Sequence, residues 1–446
     1  MRTLFITIFD GAASKNVLHS NIFKILRSEY RIVLFVPGAK YEYYRQMFSE
    51  DVVIEKSPPA DFPLIERWFH VLALRCLHTE TVRMKIHHDV ASGRGVIRSM
   101  GQLVLWWLGR SRLIHRALRF LYLQFPDSSF DAYIDTYRPR GVFVPNMISN
   151  EDYRMIKATR KRGIVSIGMP KSWDNFTSKT FFNIFPDWIM VQNHIMQEEA
   201  VRLFDYPRER IEVVGFPQFD IYADSSALVS REEFFSSVGL DPGKKTILYA
   251  AAGQQLAPYD EEVLADLITY LDREVSGVQV LVRPHPKYEF QADRIPNASF
   301  VKIDRPGRVV TGKHASWEFD MGDIRHLYNS LYHADLLIST VSTLNIEGAI
   351  FDKPLISIGY DGKQVLGLAL STARYYKYTH MLPIVRSGGM SVAYSAGELY
   401  SLVESYLENP ARDRNGRARI VTDEVGRLDG HAAEKIAQLI VTKIGT

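Results

Sequence analysis

Val278-Gln279-Val280-Leu281-Val282 runs straight into Arg283-Pro284-His285-Pro286, and further along Ala334-Asp335-Leu336-Leu337-Ile338 runs into Ser339-Thr340-Val341-Ser342-Thr343. A short amphipathic run holding Glu347 follows, then Lys353-Pro354-Leu355-Ile356-Ser357-Ile358. Short runs rich in Val, Ile and Leu, bounded by turn residues, read as buried strands. The order is therefore strand, polar site, strand, hydroxyl-rich loop, helix, strand, with the chemistry at strand ends. In open α/β sheets that edge is where ligands bind, so the fold class is α/β.

The same alternation extends outward. Leu4–Phe9 and Ile32–Val36 read as parallel strands joined by a helix over Val17–Leu26. The intervening stretch from Asp10-Gly11 to Asn16 lacks the spaced glycines of a dinucleotide fingerprint and reads as a loop. Strands resume at Gly141–Val144, Ile164–Ile167, Trp188–Val191 and Ile211–Val214, with helices over Asn150–Arg162 and His194–Phe204 between them. Gly215-Phe216-Pro217 has the composition of a hinge. A second unit opens at Lys245–Ala250, continues through Gly253-Gln254 into a helix begun by Asp260-Glu261-Glu262, and reaches the quoted stretch. Acidic residues in a first turn complement the helix dipole. Two Rossmann-like domains are expected, over residues 1–220 and 240–430, with a closing helix over 431–446.

Residues 62–125 interrupt the pattern with a long helical insertion. Its second half sets Arg98, Arg110, Arg112, His115, Arg116 and Arg119 among bulky apolar residues, Trp106 and Trp107 included. Tryptophan and arginine on one amphipathic stretch suit the interface of an anionic membrane, over residues 98–125. The alternative is a helical hairpin packed on its own domain with arginines on the wet face.

Composition narrows the class. The 446 residues are 46% apolar and 24% charged, enough for two or three real cores. A net charge of +3 gives no argument for a nucleic-acid partner, and none is expected. The single cysteine, Cys76, excludes an intrachain disulfide framework and a cysteine-rich zinc site and fits a reducing cytoplasm. The apolar start of the chain is interrupted by Asp10, which favours a first strand over a signal peptide. No stretch reaches the roughly 18 apolar residues of a membrane span. A cytoplasmic protein, peripheral on the membrane where the insertion touches it, is the expectation.

His285 is stiffened by prolines on both sides, and with Arg283 it suits phosphate oxygens or a phosphate leaving group. A strand-end histidine satisfying a carbonyl is the plainer reading. Ser339, Thr340, Ser342 and Thr343 put four hydroxyls before a helix starting near Leu344, an anion site as well as a cap with Thr343 as N-cap. Glu347, one turn in, is placed for a ribose diol or is simply a surface acid. Asp174, between Trp173 and Asn175, is partly desolvated by the indole and suits general-base work; an Asx-turn aspartate is the alternative.

Arg283-Pro284-His285-Pro286, the Ser339–Thr343 run with Lys353-Pro354, and Asp429-Gly430-His431-Ala432 before the last helix resemble GT-B glycosyltransferases of the bacterial capsule and teichoic-acid group. That group holds glycerophosphotransferases using CDP-glycerol, polysialyltransferases and capsular Kdo transferases. The resemblance implies two Rossmann-like domains facing across a cleft. It covers about 245–440, is weak over 140–220 and is absent from 62–125. Where the glycerophosphotransferases carry Trp-His-Gly-Thr with a base histidine, this chain reads Trp173-Asp174-Asn175-Phe176-Thr177. The aspartate fits a sugar transferase with a carboxylate base and speaks against glycerophosphate transfer. Ser339–Pro354 also looks like the non-hydrolysing sugar-nucleotide 2-epimerases, which gives the alternative function.

The expectation is thus a metal-independent glycosyltransferase with a nucleotide-sugar donor, a glycan or glycolipid acceptor and no cofactor. Gly253, Gln254, Arg283, His285, Ser339, Thr340, Ser342, Thr343 and Glu347 would bind the donor. Asp10, Trp173 and Asn175 would meet the acceptor, and Asp174 and His285 would be catalytic.

Overall fold

The computed structural model describes residues 2–48, 51–59, 63–286, 288–305, 307–309 and 317–445. It divides into two compact units. The first comprises Met1–Asp220, Val309–Glu318 and Arg427–Thr446; the second comprises Ile221–Arg308 and Phe319–Gly426.

The first unit is built on a seven-stranded sheet of β1 (Arg2–Thr7), β2 (Tyr30–Val36), β3 (Val52–Lys56), β4 (Gly141–Val144), β5 (Val165–Gly168), β6 (Trp188–Val191) and β7 (Ile211–Val213), in the order β3-β2-β1-β4-β5-β6-β7. All its strand pairs are parallel, with Leu4 beside Ile32 on one side and Gly141 on the other. The strands are near-continuous apolar runs because both faces are covered by helices. The first strand ends earlier than expected, and the stretch read as a loop is helical from Gly11 to Leu18. Asp10 caps that helix, its carboxylate accepting from the Ala13 amide at 2.9 Å. A second helix, Asn21–Glu29, is capped by Ser20, so the single helix expected over Val17–Leu26 is two. The closing helix Ala432–Gly445 packs in this core through Ala433, Ile436, Ala437, Ile440 and Ile444. Asp220 holds its start, accepting from the Ala432 and Ala433 amides at 3.1 and 2.8 Å. Gly215 explains the small residue in Asp429-Gly430-His431-Ala432: a Cβ on it would lie 3.1 Å from that of Ala432.

The insertion forms four helices, Leu64–Arg75, Glu80–Ala91, Val96–Leu108 and Arg112–Gln124. It docks on the first unit by polar bonds as well as packing. Arg119 donates to the Phe182 carbonyl at 3.1 Å, Lys157 to that of Tyr122 at 3.0 Å, and Thr79 to that of Thr177 at 2.8 Å.

The second unit holds a six-stranded sheet of β8 (Lys245–Ala251), β9 (Val278–Pro284), β10 (Val301–Ile303), β13 (Leu336–Ser339), β14 (Leu355–Ile358) and β15 (Ser391–Ala393), in the order β10-β9-β8-β13-β14-β15. Its pairs are again parallel, and β8 runs between β9 and β13. A two-stranded ribbon of β11 (Arg308–Val309) and β12 (Trp317–Glu318) lies between β10 and β13 in sequence.

Asp152 shows how β1 is tied to the helix Asn150–Lys161. Fully buried, it accepts from Thr7 Oγ1 at 2.8 Å and Ser149 Oγ at 2.7 Å. Burial pushes its carboxyl pKa up to about 7, against the pull of the Ser149 and Thr7 bonds. A carboxyl raised in the folded state favours folding while protonated. Its contribution is full below about 4 and is lost as the pH rises through about 7. Asp152→Asn removes that titration, so thermal melts at pH 5.5 and 8 should show the variant gaining on the parent at the higher pH. An unchanged difference between the two would contradict this.

Candidate active site

In the second unit, sheet register brings three loops together. Ala251 pairs with Pro284 and Ala250 with both Arg283 and Ser339, so Ala252, His285 and Thr340 emerge side by side from β8, β9 and β13. The chain leaves β8 toward β9 and later returns on the other side as β13, so the loops after β8 and β13 flank the point where strand order reverses. Ligands bind open α/β sheets at that point.

The loop after β8 carries Gly253 at φ 77°, where a Cβ would lie 2.6 Å from that of Tyr288. Next to it the Gln254 side-chain amide nitrogen is buried without a protein acceptor, which suits an anionic oxygen. His285 is half-buried, its amide donating to the Ala251 carbonyl at 2.9 Å and its ring stacked on Tyr288 with centroids 4.5 Å apart. These three expected donor-site residues share one strand edge.

Arg283 behaves differently from the expectation. Its side chain is 6% exposed and its guanidinium is held by Asp304 at 2.6 Å, which also faces His326 at 2.9 Å. Burial alone would raise the Asp304 pKa, but the His326 bond and the Arg283 charge lower it below the ordinary value. Arg283 therefore stiffens the end of β9 and does not present its charge to a phosphate.

The hydroxyl run divides in two. Ser339 and Thr340 are buried: Ser339 donates to Asn345 Oδ1 at 2.9 Å, and Thr340 to Asp260 Oδ1 at 3.5 Å. They hold the loop, contrary to the expected phosphate contact. Ser342 is half-buried and Thr343 exposed, the outward pair, and between the two pairs Val341 has φ 42°. Thr343 makes no side-chain cap bond to the seven-residue helix Leu344–Ile350; Ser342 Oγ accepts from the Leu344 amide at 3.2 Å instead. Glu347 is buried and accepts from the Tyr222 hydroxyl, a partner sequence reasoning missed because it comes from the linker.

Asp260 does more than complement the dipole of the helix it opens. It is buried and makes no cap bond to its own helix. Its carboxylate accepts from the Ala252 amide at 2.7 Å and Tyr249 Oη at 2.9 Å. Its neighbours in sequence serve other loops, Glu261 accepting from the Gln291 amide at 3.2 Å and Glu262 from that of Lys363 at 3.0 Å.

In the first unit, Asp174 precedes the short helix Asn175–Ser178, and its carboxylate lies 2.7 Å from Lys179 Nζ. The indole setting expected for it is incomplete: Trp173 is buried, and an ammonium faces the acid. Asn175 is fully buried, with Oδ1 accepting from the Ser172 amide at 3.1 Å and Nδ2 donating to Asp174 Oδ1 at 3.2 Å. Trp173 and Asn175 thus build the loop; as acceptor contacts they are corrected. Lys85 reaches the same loop from the insertion, donating to the Ser178 carbonyl at 2.9 Å. Burial depresses its pKa to about 8, opposed by the nearby Asp174 charge. Asp10 is paired with Lys171 at the end of β1.

Two parallel Rossmann-like units, one with a glycine loop, a histidine and an outward hydroxyl pair at its switch point, define a GT-B-fold protein. Residues 172–442 match the family of CDP-glycerol:poly(glycerophosphate) glycerophosphotransferases, more than half of the chain, and the chain belongs to that family. Among curated proteins it is similar to a teichoic acid ribitol-phosphate polymerase, TarL of Staphylococcus aureus, 26% identical over 35% of this chain and 26% of the relative. It is also similar to the teichoic acid poly(ribitol-phosphate) polymerase of Bacillus spizizenii, 23% identical over 57% of this chain and 37% of the relative. The chain thus spans only about a quarter to over a third of the length of these relatives. Among solved structures, a putative UDP-N-acetylglucosamine 2-epimerase from Listeria monocytogenes aligns with a TM-score of 0.57 at 10% identity, covering 100% of this chain and 97% of that one. The wall teichoic acid polymerase TagF aligns with a TM-score of 0.52 at 12% identity, covering 100% and 89%. At such identities these two show the fold alone.

Gly253→Ala should lower stability by about 1 kcal/mol or more, since alanine resists a positive φ and its Cβ meets Tyr288. Urea unfolding of parent and variant measures it; an unchanged midpoint would refute the strained loop.

Proposed function

We propose that this chain transfers an activated group from a nucleotide donor to a hydroxyl of a cell-envelope polymer or lipid-linked acceptor. The adjacency of Gly253, Gln254, His285 and the outward Ser342-Thr343 pair at one strand edge carries this reading. Backbone and side-chain donors there are suited to the donor's diphosphate, and Glu347 to its ribose. Hydrogen-bond donation from these groups to the leaving phosphate supports a metal-independent reaction, which full activity in chelator would agree with. Asp174 is assigned as the base that takes the acceptor proton, with Lys179 setting its charge in the resting enzyme.

The family and the curated relatives favour a CDP-linked alditol phosphate as donor. The acceptor hydroxyl then attacks the β-phosphorus, the bond to the bridging oxygen breaks, and CMP leaves. The aspartate in place of the family's histidine favours a second reading, glycosyl transfer. There the attack is at the anomeric carbon, the carbon–oxygen bond breaks, and the nucleotide leaves with its phosphate. Identifying the bond formed in the product separates the two: a phosphodiester, with CMP released, supports the first, and a glycosidic bond the second. Asp174→Asn should cut kcat by about 10²–10⁴-fold, and Asp174→His should restore part of it. Retained activity in the asparagine variant would overturn the assignment.

We also infer that the insertion lies on a membrane, by a route other than the arginines. Arg112 and Arg116 are paired with Asp205 at 3.0 and 2.7 Å, Arg119 is half-buried over the Phe185 ring, and His115 is buried on the Cys76 carbonyl. Beside its arginines the insertion exposes large apolar side chains: Leu64 at 72%, Ile97 at 88%, Trp107 at 60% and Leu113 at 74%. Trp68, Met100, Val104 and Phe120 join them, from three of its four helices. Among the described residues no helix is long and apolar enough to cross a membrane. Shallow insertion of these side chains is the mode of binding that fits. Vesicle flotation should be weakened strongly by Ile97→Ser with Trp107→Ser and only mildly by salt. Loss in salt with no effect of the substitutions would reverse that order.

A further inference from the structure

The buried carboxylate of Asp260 makes no cap bond to its own helix and has no role yet in the proposed chemistry. It stands behind the two loops that flank the switch point of the second sheet. Oδ2 accepts from the Ala252 amide at 2.7 Å, and the Gly253 amide bonds to the same carboxylate. Oδ1 accepts from Tyr249 Oη at 2.9 Å and from Thr340 Oγ1 at 3.5 Å. One acid thus fixes the start of the glycine loop and, through Thr340, the start of the hydroxyl loop. Neither loop is held this way by regular structure, since both begin where their strands end.

We propose that Asp260 is a positioning residue for the donor: ionised, it sets the spacing of the 251–254 and 339–343 loops that receive the diphosphate. This rests on the donor reading of the same edge. The carboxylate form is required because four donors converge on it. A protonated acid has an O–H where an N–H or hydroxyl must be accepted, so one of the two loops loses its tether.

Burial is the larger influence on this group and pushes its pKa up to about 6, against the Tyr249 and Ala252 bonds. The ionisable groups around it are Tyr249 on β8, Glu261 on its own helix, and Tyr360 and Tyr376 beyond β14. Donor affinity should therefore fall as the pH drops through about 6. A proton gained by the imidazole of His285 would strengthen anion binding, the opposite sign.

The test is the Kd of CDP-glycerol for the full chain from pH 5.5 to 7.5, by calorimetry, for the parent, Asp260→Asn and Thr340→Val. The diphosphate of this probe is doubly esterified and does not titrate in that range, so the trend belongs to the protein. The parent should bind about fourfold more weakly at pH 5.5 than at 7.5. Asp260→Asn should be weak at both, without the acid decline, and Thr340→Val should weaken binding partly while keeping the decline. Parent affinity that is flat or tightens toward pH 5.5 overturns the proposal without recourse to a variant. Asp260→Asn binding as tightly as the parent overturns it too. Binding of neither CDP-glycerol nor UDP-N-acetylglucosamine at any pH would instead overturn the donor reading itself.

Discussion

Both sheets are held by parallel strand pairs, and much else follows from that constraint. A parallel neighbour can be reached only by a crossover, so the chain leaves each strand to cross a face of the sheet, and every strand ends at the same edge. Where the strand order reverses, the loops on either side diverge and leave backbone N–H groups uncovered. In the second unit the reversal falls between β8 and β13. Glycine at 253, the outward hydroxyls at 342 and 343 and the imidazole at 285 lie there because the register leaves no other place for residues that follow those strands. The chemistry at this edge is a consequence of topology before it is a consequence of side-chain choice.

The strands and the edge were legible from local pattern. Buried parallel strands are continuous apolar runs, and runs such as Val278–Val282 and Leu336–Ile338 announce themselves. What the pattern could not show is which polar side chains at the edge turn inward. Arg283 and Ser339 carry the residue types of a phosphate site, yet each is held by another element, Arg283 by Asp304 beyond β10 and Ser339 by Asn345 on the following helix, with Ser357 behind it. Conversely Asp260 looked like an ordinary first-turn acid. A helix whose opening acid makes no cap bond is recognisable only from coordinates. The one available hint was its position, just downstream of a glycine that follows a strand.

The insertion shows the same limit at a larger scale. Its helices are apolar on two sides, so periodicity alone does not say which side is the core. Phe69, Ala73, Leu105 and Leu118 turn in around Cys76 and Phe181, while Trp68, Val104 and Trp107 turn out. Three of the arginines that suggest an electrostatic surface, Arg112, Arg116 and Arg119, have protein partners, because the polar rim of a docked helix is where guanidinium groups meet acids and carbonyl oxygens, while Arg98 and Arg110 stay exposed. An exposed apolar face on several helices of one insertion is larger than scattered surface residues explain. The same insertion supplies Thr79 and Lys85 to the loop that holds Asp174, so the surface and the candidate base share one scaffold.

Strain marks corresponding points in the two units. Met147 follows β4, the strand that pairs with β1, and has φ 59°; Val341 follows β13, the strand that pairs with β8, and has φ 42°. Both strands lie across the switch point from the first strand of their sheet. A left-handed backbone costs a non-glycine residue on the order of 1–3 kcal/mol, and a β-branched side chain such as valine resists it most. Glycine would relieve that cost at either place. At 341 the surroundings hold the conformation: Asn345 ties Ser339 to the helix, Asp260 ties Thr340, and the backbone of Val341 bonds to the Tyr376 hydroxyl. A loop so over-determined keeps the outward pair, Ser342 and Thr343, in one place with no ligand to order them. Preorganisation of that kind lowers the entropy lost on binding, which is a physical reason for a strained valine at the edge where the donor is proposed to sit.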